Sequence, residues 1–373
     1  MPPLLSGISL VCTITIFHMP HSDTNNTTAH DFSGSATLEE SIKSEAKRLG
    51  FFACGIAQAG PVDAATQQHM RTWVAEKDYA TMEYMSNNLE KRLDPTLLVP
   101  GTKSIISLAL NYAPKQEITG HMPDNYNFAA YALGKDYHDI MKKKMTLLAK
   151  KFGWTMIPNP PRVSSTTITA HGDSNTDESY PTSDNDTVRY RCFVDSAPVL
   201  ERYWAVKAGL GWIGRNHSLI IPHAGTMFFL GEIFVSISLN ADKPVRNFCG
   251  QCRRCIDACP THALSTVPFD TSLCLSYQTI ENRGELSTLA KKSMGDTIYG
   301  CDRCQQACPW NRFATPTTDP DMQPSEEFLK MTKEDWRNLD IEQYRRLFKG
   351  SAVKRAKYEG LMRNIKAASE EEQ

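Results

Sequence analysis

Apolar residues first recur at helical spacing at Leu38, Ile42, Ala46 and Leu49, and Gly50 stops the pattern, so a helix is predicted over 38–49. Phe51 to Ala57 reads as a short strand, and 64–76 as a second helix. Ser104 to Tyr112 (SIISLALNY) is an unbroken apolar run of strand length ended by Pro114, the pattern of a strand covered on both faces. The stretch 131–151 opens around GKDYHD and then sets Ile140, Met141, Met145, Leu148 and Phe152 on one side of a basic helix. Arg189 to Asp195 returns to strand. Ser196 and Pro198 then predict a helix start, with Ser as cap and Pro in the first turn, running to about Ala208. GLGWIGRN, 209–216, is a Gly-rich turn, and Leu219–Ile221 and Met227–Leu239 are apolar strands. After Trp310 the pattern is helical and charged.

Two segments lack core-forming residues. Residues 1–37, Ser-, Thr-, Asn- and His-rich from position 20, predict a disordered N-terminal tail, and 158–187 predict a mobile surface insertion. Leu4 to Phe17 is apolar but carries neither the positive flank nor the cleavage site of an export signal, and Met19 is an alternative start. A net charge of −1 over 373 residues leaves any polyanion partner to a local patch. The length allows two or three domains, and no stretch is long and apolar enough for a membrane helix.

The chemistry concentrates between Cys249 and Pro309. Cys249, Cys252, Cys255 and Cys259, followed by Pro260, have the C-x2-C-x2-C-x3-C-P spacing of a bacterial ferredoxin. Cys301, Cys304 and Cys308, followed by Pro309, repeat it without the first member, which Cys274 is free to supply. In such runs the fourth cysteine ligates the other cluster. That assigns Cys249, Cys252, Cys255 and Cys308 to one [4Fe-4S] cluster, and Cys259, Cys274, Cys301 and Cys304 to the second. Zinc is the alternative, because paired C-x-x-C also makes zinc ribbons, but zinc does not explain C-x3-C-P twice. Of the eleven cysteines, Cys12, Cys54 and Cys192 are left scattered, which suits a reducing compartment. GLGWIG follows a helix and precedes a strand, the wrong context for a dinucleotide fingerprint.

Three cysteine-rich stretches, CGQCRRCIDACPTHAL, CLSYQTIENRG and IYGCDRCQQACPWN, resemble those of the epoxyqueuosine reductases. So do KRLDPTLLVPGTKSIISLALNY, GKDYH and FVDSAPVLERYWAVKAGLGWIGRN before them, in order, over roughly residues 38–365. The resemblance implies an α+β multidomain chain. An α/β cobalamin-binding catalytic domain (38–245, with the 158–187 insertion) precedes a ferredoxin-like two-cluster domain (246–315) and a helical C-terminal region with a tRNA-binding patch (316–373). It implies cobalamin and two [4Fe-4S] clusters as cofactors, and tRNA carrying epoxyqueuosine at the wobble position as substrate. The epoxide is reduced to an alkene with loss of water, the last step of queuosine synthesis. An external low-potential electron donor, a cytoplasmic location and a monomer complete the expectation.

By the same resemblance, Asp195 matches a proton donor and Asp136 a second acid of the pocket. Arg92, Asp136, Asp195, Asn216, Leu219, Ile220, Ile221 and Leu230 match cofactor contacts, and Lys354, Arg355 and Arg363 a tRNA surface. Electron delivery to an epoxide leaves an alkoxide, and a carboxylic acid kept protonated by burial beside the corrin would supply the proton. Each residue also has a plainer reading. Asp195 would cap the helix at Ser196, Asp136 would complement a helix dipole, Arg92 would be an exposed arginine, and Leu219–Ile221 and Leu230 would be core. Two competing functions remain: a corrinoid dehalogenase, and a plain electron-transfer protein whose first domain only docks a partner.

Overall fold

The structure, a computed structural model, describes residues 36–115, 125–158, 187–265 and 269–370. The expected tail before Leu38 and nearly all of the 158–187 insertion lie outside these residues. Nine strands occur among them: β1 (Ala53–Gln58), β2 (Ser104–Asn111), β3 (Asn127–Phe128), β4 (Thr155–Met156), β5 (Arg189–Phe193), β6 (Trp212–Ile213), β7 (Leu219–Ile220), β8 (Phe228–Val235) and β9 (Thr297–Tyr299). Five form one sheet in the order β1-β2-β8-β5-β4, antiparallel except for the β4–β5 pair.

The unbroken apolar run of β2 has a direct cause. Ile106, Leu108 and Leu110 point to one face and pack with Ile42 and Ala46 of the helix Leu38–Arg48 and with Met141, Met145 and Leu148 of the helix Tyr137–Lys151. Ile105 and Ala109 point to the other face and pack with Trp204, Ala205 and Ala208 around the helix Glu201–Lys207. With helices on both sides, every position before Asn111 is covered, and each buried aliphatic side chain contributes about 1.5–3 kcal/mol. The strand β8 alternates in the same way. Phe229, Ile233 and Val235 face the first layer, while Leu230 and Phe234 face the second.

A third core lies around the cysteine-rich segment. Tyr126 and Phe128 join Leu275, Ile298 and Tyr299, and the C-terminal helices cover them with Trp336, Phe348, Leu361 and Ile365. β3 and β9 pair in parallel within it. This core crosses the expected 315/316 boundary. Asn364, fully buried, donates to the carbonyls of Thr279 and Ile298 and ties the last helix, Lys357–Glu370, to the cluster-bearing segment. Two sequence expectations shift. The helix predicted from Ser196 begins at Glu201, behind Leu200 and with no side-chain cap, and the strand predicted over 227–239 ends at Val235.

Candidate active site

The helix Tyr137–Lys151 begins at Asp136, whose carboxylate accepts the His138 N–H at 3.0 Å as N-cap and meets His138 Nδ1 at 2.7 Å. The His138 hydrogen bond holds the Asp136 carboxyl below the usual carboxylate range, against its partial burial. Tyr137 lies flat on Phe229, centroids 4.1 Å apart at 4°, and on its other side stacks on His138. Thus Phe229, on the helix-facing side of β8, sets the angle of the Tyr137 ring.

β5 ends at Phe193, and the chain turns sharply at Asp195, which has φ +52°. That conformation is uncommon outside glycine and suggests a functional constraint. Two contacts hold it. The Asp195 N–H donates to Glu201 Oε1 at 2.5 Å, and Tyr137 Oη donates to Asp195 Oδ2 at 2.6 Å. His138 Nε2 stands 3.9 Å from the same oxygen. Since the helix starts only at Glu201, Asp195 caps nothing, and the capping alternative for it fails. The expected burial of Asp195 is not met either, because its side chain is 63 % exposed.

Two carboxyls near Asp195 are raised above the ordinary carboxylate range. Burial, then the charge of Asp195, pushes Glu201 up to about 8. Glu232, fully buried in β8, is raised well above the carboxylate range by burial and then by Glu201. Its Oε1 accepts from Ser107 Oγ on β2 at 3.1 Å, and its Oε2 has no partner. Tyr137 is also raised, chiefly by burial and then by Asp195.

Asp136, Tyr137, His138, Asp195 and Glu201 line a cavity of about 1640 Å³, and Glu232 lies outside its lining. Asp136–His138 and Asp195–Tyr203 form one side, and Arg92 another. Cys274 and Tyr277 reach it from the cluster-bearing segment, and Ser351, Ala352, Lys354 and Arg355 from the C-terminal region. Drug-sized ligand pockets run to about 1,000 Å³, so this space takes a larger occupant. Arg92 is buried, not the exposed arginine of the plainer reading, and its Nε has no partner. An unpaired buried guanidinium on a cavity wall fits a group that brings acceptors with it.

The remaining expected contacts are elsewhere. Asn216 and Ile220 line a separate pocket of about 60 Å³, together with Cys249, Cys252, Cys255 and Cys308. Leu219, Ile221 and Leu230 pack into the core beside the helix Glu201–Lys207 and are not on the large cavity's lining. The second set of thiols is also close together. Cys301 is raised by burial and then by Cys274, Cys304 by burial and then by Cys301 and Cys274, and Cys274 by burial and then by Cys259 among charged neighbours. Cys54 and Cys192 stay apart, each pushed up to about 12 by burial.

Of the three basic residues expected on a tRNA surface, Lys354 and Arg355 line the cavity. Arg355 forms a bidentate pair with Glu281 at 2.7 and 2.8 Å and lies over the Tyr84 ring. Arg363 is held within the chain. Its guanidinium donates to the carbonyls of Gln278, Asn282 and Gly284, so it is a strut between the last helix and the cluster-bearing segment.

Residues 92–196 match the family described as "Epoxyqueuosine reductase QueG, DUF1730", and residues 248–311 match the "4Fe-4S double cluster binding domain". An epoxyqueuosine reductase from Cellulophaga algicola is 39 % identical over 87 % of this chain and 95 % of its own length. The chain belongs to the epoxyqueuosine reductase family. A second member, from Pseudomonas aeruginosa, is 34 % identical over 88 % of this chain and 84 % of its own. The solved epoxyqueuosine reductase from Streptococcus thermophilus superimposes with TM-score 0.71 at 26 % identity, over 89 % of this chain and 80 % of that one. Another solved epoxyqueuosine reductase, holding an epoxyqueuosine-modified tRNA-Tyr stem loop, gives TM-score 0.73 at 25 % identity over the same shares. The chain is therefore an oxidoreductase whose segment 248–311 is a double [4Fe-4S] domain. No helix among the described residues is long and apolar enough to cross a membrane.

Proposed function

We propose that this reductase converts epoxyqueuosine to queuosine at the wobble position of tRNA, with cobalamin in the 1640 Å³ cavity and electrons supplied through the two clusters. The observation that carries the reading is the cavity itself, whose lining holds both Asp195 and Cys274. A plain electron-transfer protein has no need of such a space. The conversion breaks both C–O bonds of the epoxide, takes up two electrons and two protons, and releases the oxygen as water. Cobalamin, when bound, supplies a strongly reduced cobalt, and iron–sulfur clusters reach about −700 mV, low enough to feed it.

The chain's own residues then have defined tasks. Cys249, Cys252, Cys255 and Cys308 would hold one cluster, and Cys259, Cys274, Cys301 and Cys304 the other, nearer the cavity. Arg92, Asp136 and Asp195 would border the corrinoid. Asp195 would deliver the proton as the oxygen leaves carbon, with Tyr137 fixing its carboxyl and Glu201 fixing its backbone. Lys354 and Arg355 would meet the anticodon stem loop beside the cavity. The working protein would be a cytoplasmic monomer served by an external low-potential donor.

The test is direct. Anaerobically reconstituted protein with cobalamin, a strong reductant and epoxyqueuosine-containing tRNA should yield queuosine by nucleoside mass spectrometry. An epoxide left intact would end this reading.

A further inference from the structure

The Gly-rich stretch 209–216 is a lid on the small thiol-lined pocket. β6 and β7 pair as a short antiparallel ribbon, and Gly211 allows it, since a Cβ there would lie 2.0 Å from the Ile220 carbonyl oxygen. Gly214 leaves room for the Asn216 side chain in the same way, its Cβ site being 2.7 Å from Asn216 Oδ1. The lid brings two N–H groups to the thiols. Trp212 Nε1 donates to Cys249 Sγ at 3.5 Å. Asn216 is 93 % buried and lines the pocket; its Oδ1 accepts the Ser218 N–H at 3.3 Å, while its Nδ2 has no partner. A buried amide donor without a partner is costly, so its presence beside four thiols calls for an acceptor there.

We propose that Trp212 and Asn216 donate hydrogen bonds to the sulfurs of the cluster held by Cys249, Cys252, Cys255 and Cys308, and make it the easier of the two clusters to reduce. This rests on the ligand grouping proposed above. Reduction adds negative charge, part of which resides on sulfur, so N–H donors favour the reduced form and raise its potential. Trp212, Phe248 and Trp310 pack together beside these cysteines, with ring centroids 5.0 to 6.1 Å apart. The other thiol set has a weaker side-chain counterpart, the Thr261 hydroxyl 3.9 Å from Cys259 Sγ.

The test uses Trp212→Phe and Asn216→Leu in the full chain, each reconstituted anaerobically and followed by iron analysis and an EPR-monitored redox titration. Wild type should carry both clusters and show two components. In each variant the component reduced first should move to more negative potential, by about the 59 mV of a tenfold change in a one-electron couple, with the second component unmoved. Two clusters with unchanged potentials in both variants would overturn the proposal. Loss of one cluster from both variants would also overturn it, making the two side chains structural. Wild-type protein without two clusters would instead refute the ligand grouping.

Discussion

The two cavities flank the cysteine-rich segment and have opposite characters. The smaller, about 60 Å³, is walled by Phe248, Trp310 and Ile220, with Asn216 the buried polar group among its thiols. The larger, about 1640 Å³, sets carboxylates, histidines, tyrosines and cations into a lining that also carries Met70, Met82, Met85, Val199, Leu200 and Phe269. The small one has the size and donors to hold a charge in place. The large one has the room for a substrate and the acids to move protons. Cys274 is on the large cavity's lining and, in the proposed grouping, in the second thiol set, so the second cluster would border the chemistry.

That contrast is broken most completely at Cys274. Cys274→Ser should bring turnover to background and halve the bound iron, measured by iron analysis and single-turnover assay. Full iron content would show that Cys274 is not a ligand. Next comes Asp195→Asn, which should lower turnover by about 10²–10⁴-fold while corrinoid and iron are retained. A variant with wild-type rate would remove Asp195 as proton donor.

The two basic residues of the C-terminal region should separate cleanly. Arg363→Ala should cost about 2 kcal/mol in denaturant unfolding, because charged hydrogen bonds to three carbonyls are lost, and leave KM for tRNA unchanged in the variant that remains folded. Lys354→Ala should do the reverse, raising KM for tRNA a few-fold and lowering the salt slope by about one.

A separate effect concerns pH. Glu201 is raised to about 8 in the folded chain, against about 4.3 unfolded. The folded state then binds the proton more tightly, so this stabilising contribution is complete below about 4 and is lost as pH rises to about 8. Glu201→Gln keeps an oxygen for the Asp195 N–H and should gain stability relative to wild type between pH 5 and pH 8 in urea unfolding. A difference that does not change with pH would mean that Glu201 does not titrate there.

The sheet was legible where burial alone decides. β2 reads as a covered strand because all but its last residue is buried, and the helix Leu38–Arg48 reads from its spacing and its Gly50 stop. The site was legible through its cysteines, whose spacing is set by cluster geometry. The loop after β5 was not. Ser196 and Pro198 carry a helix-start signal, yet the side chain of Glu201, six residues beyond Asp195, accepts the Asp195 N–H and delays the helix. Tyr137 and Glu201 were missed because their partners are distant or hidden. Glu232 had a signal, a lone carboxylate inside FFLGEIFV, since an acid in a covered strand is rare without a partner. Trp212 lay in a stretch read as a turn, in which only the resemblance singled out Asn216, and what the two face is set by the β6–β7 ribbon.

In this account, clusters held by the cysteine thiolates would deliver electrons to a corrin-bearing cavity. The measurement that tests it most directly is a metal count with an absorption and EPR spectrum on anaerobically purified protein incubated with cobalamin. The account predicts two four-iron clusters and one bound corrinoid per chain, with cobalt reduced when electrons are supplied to the clusters. Two zinc ions and no bound corrinoid would contradict it.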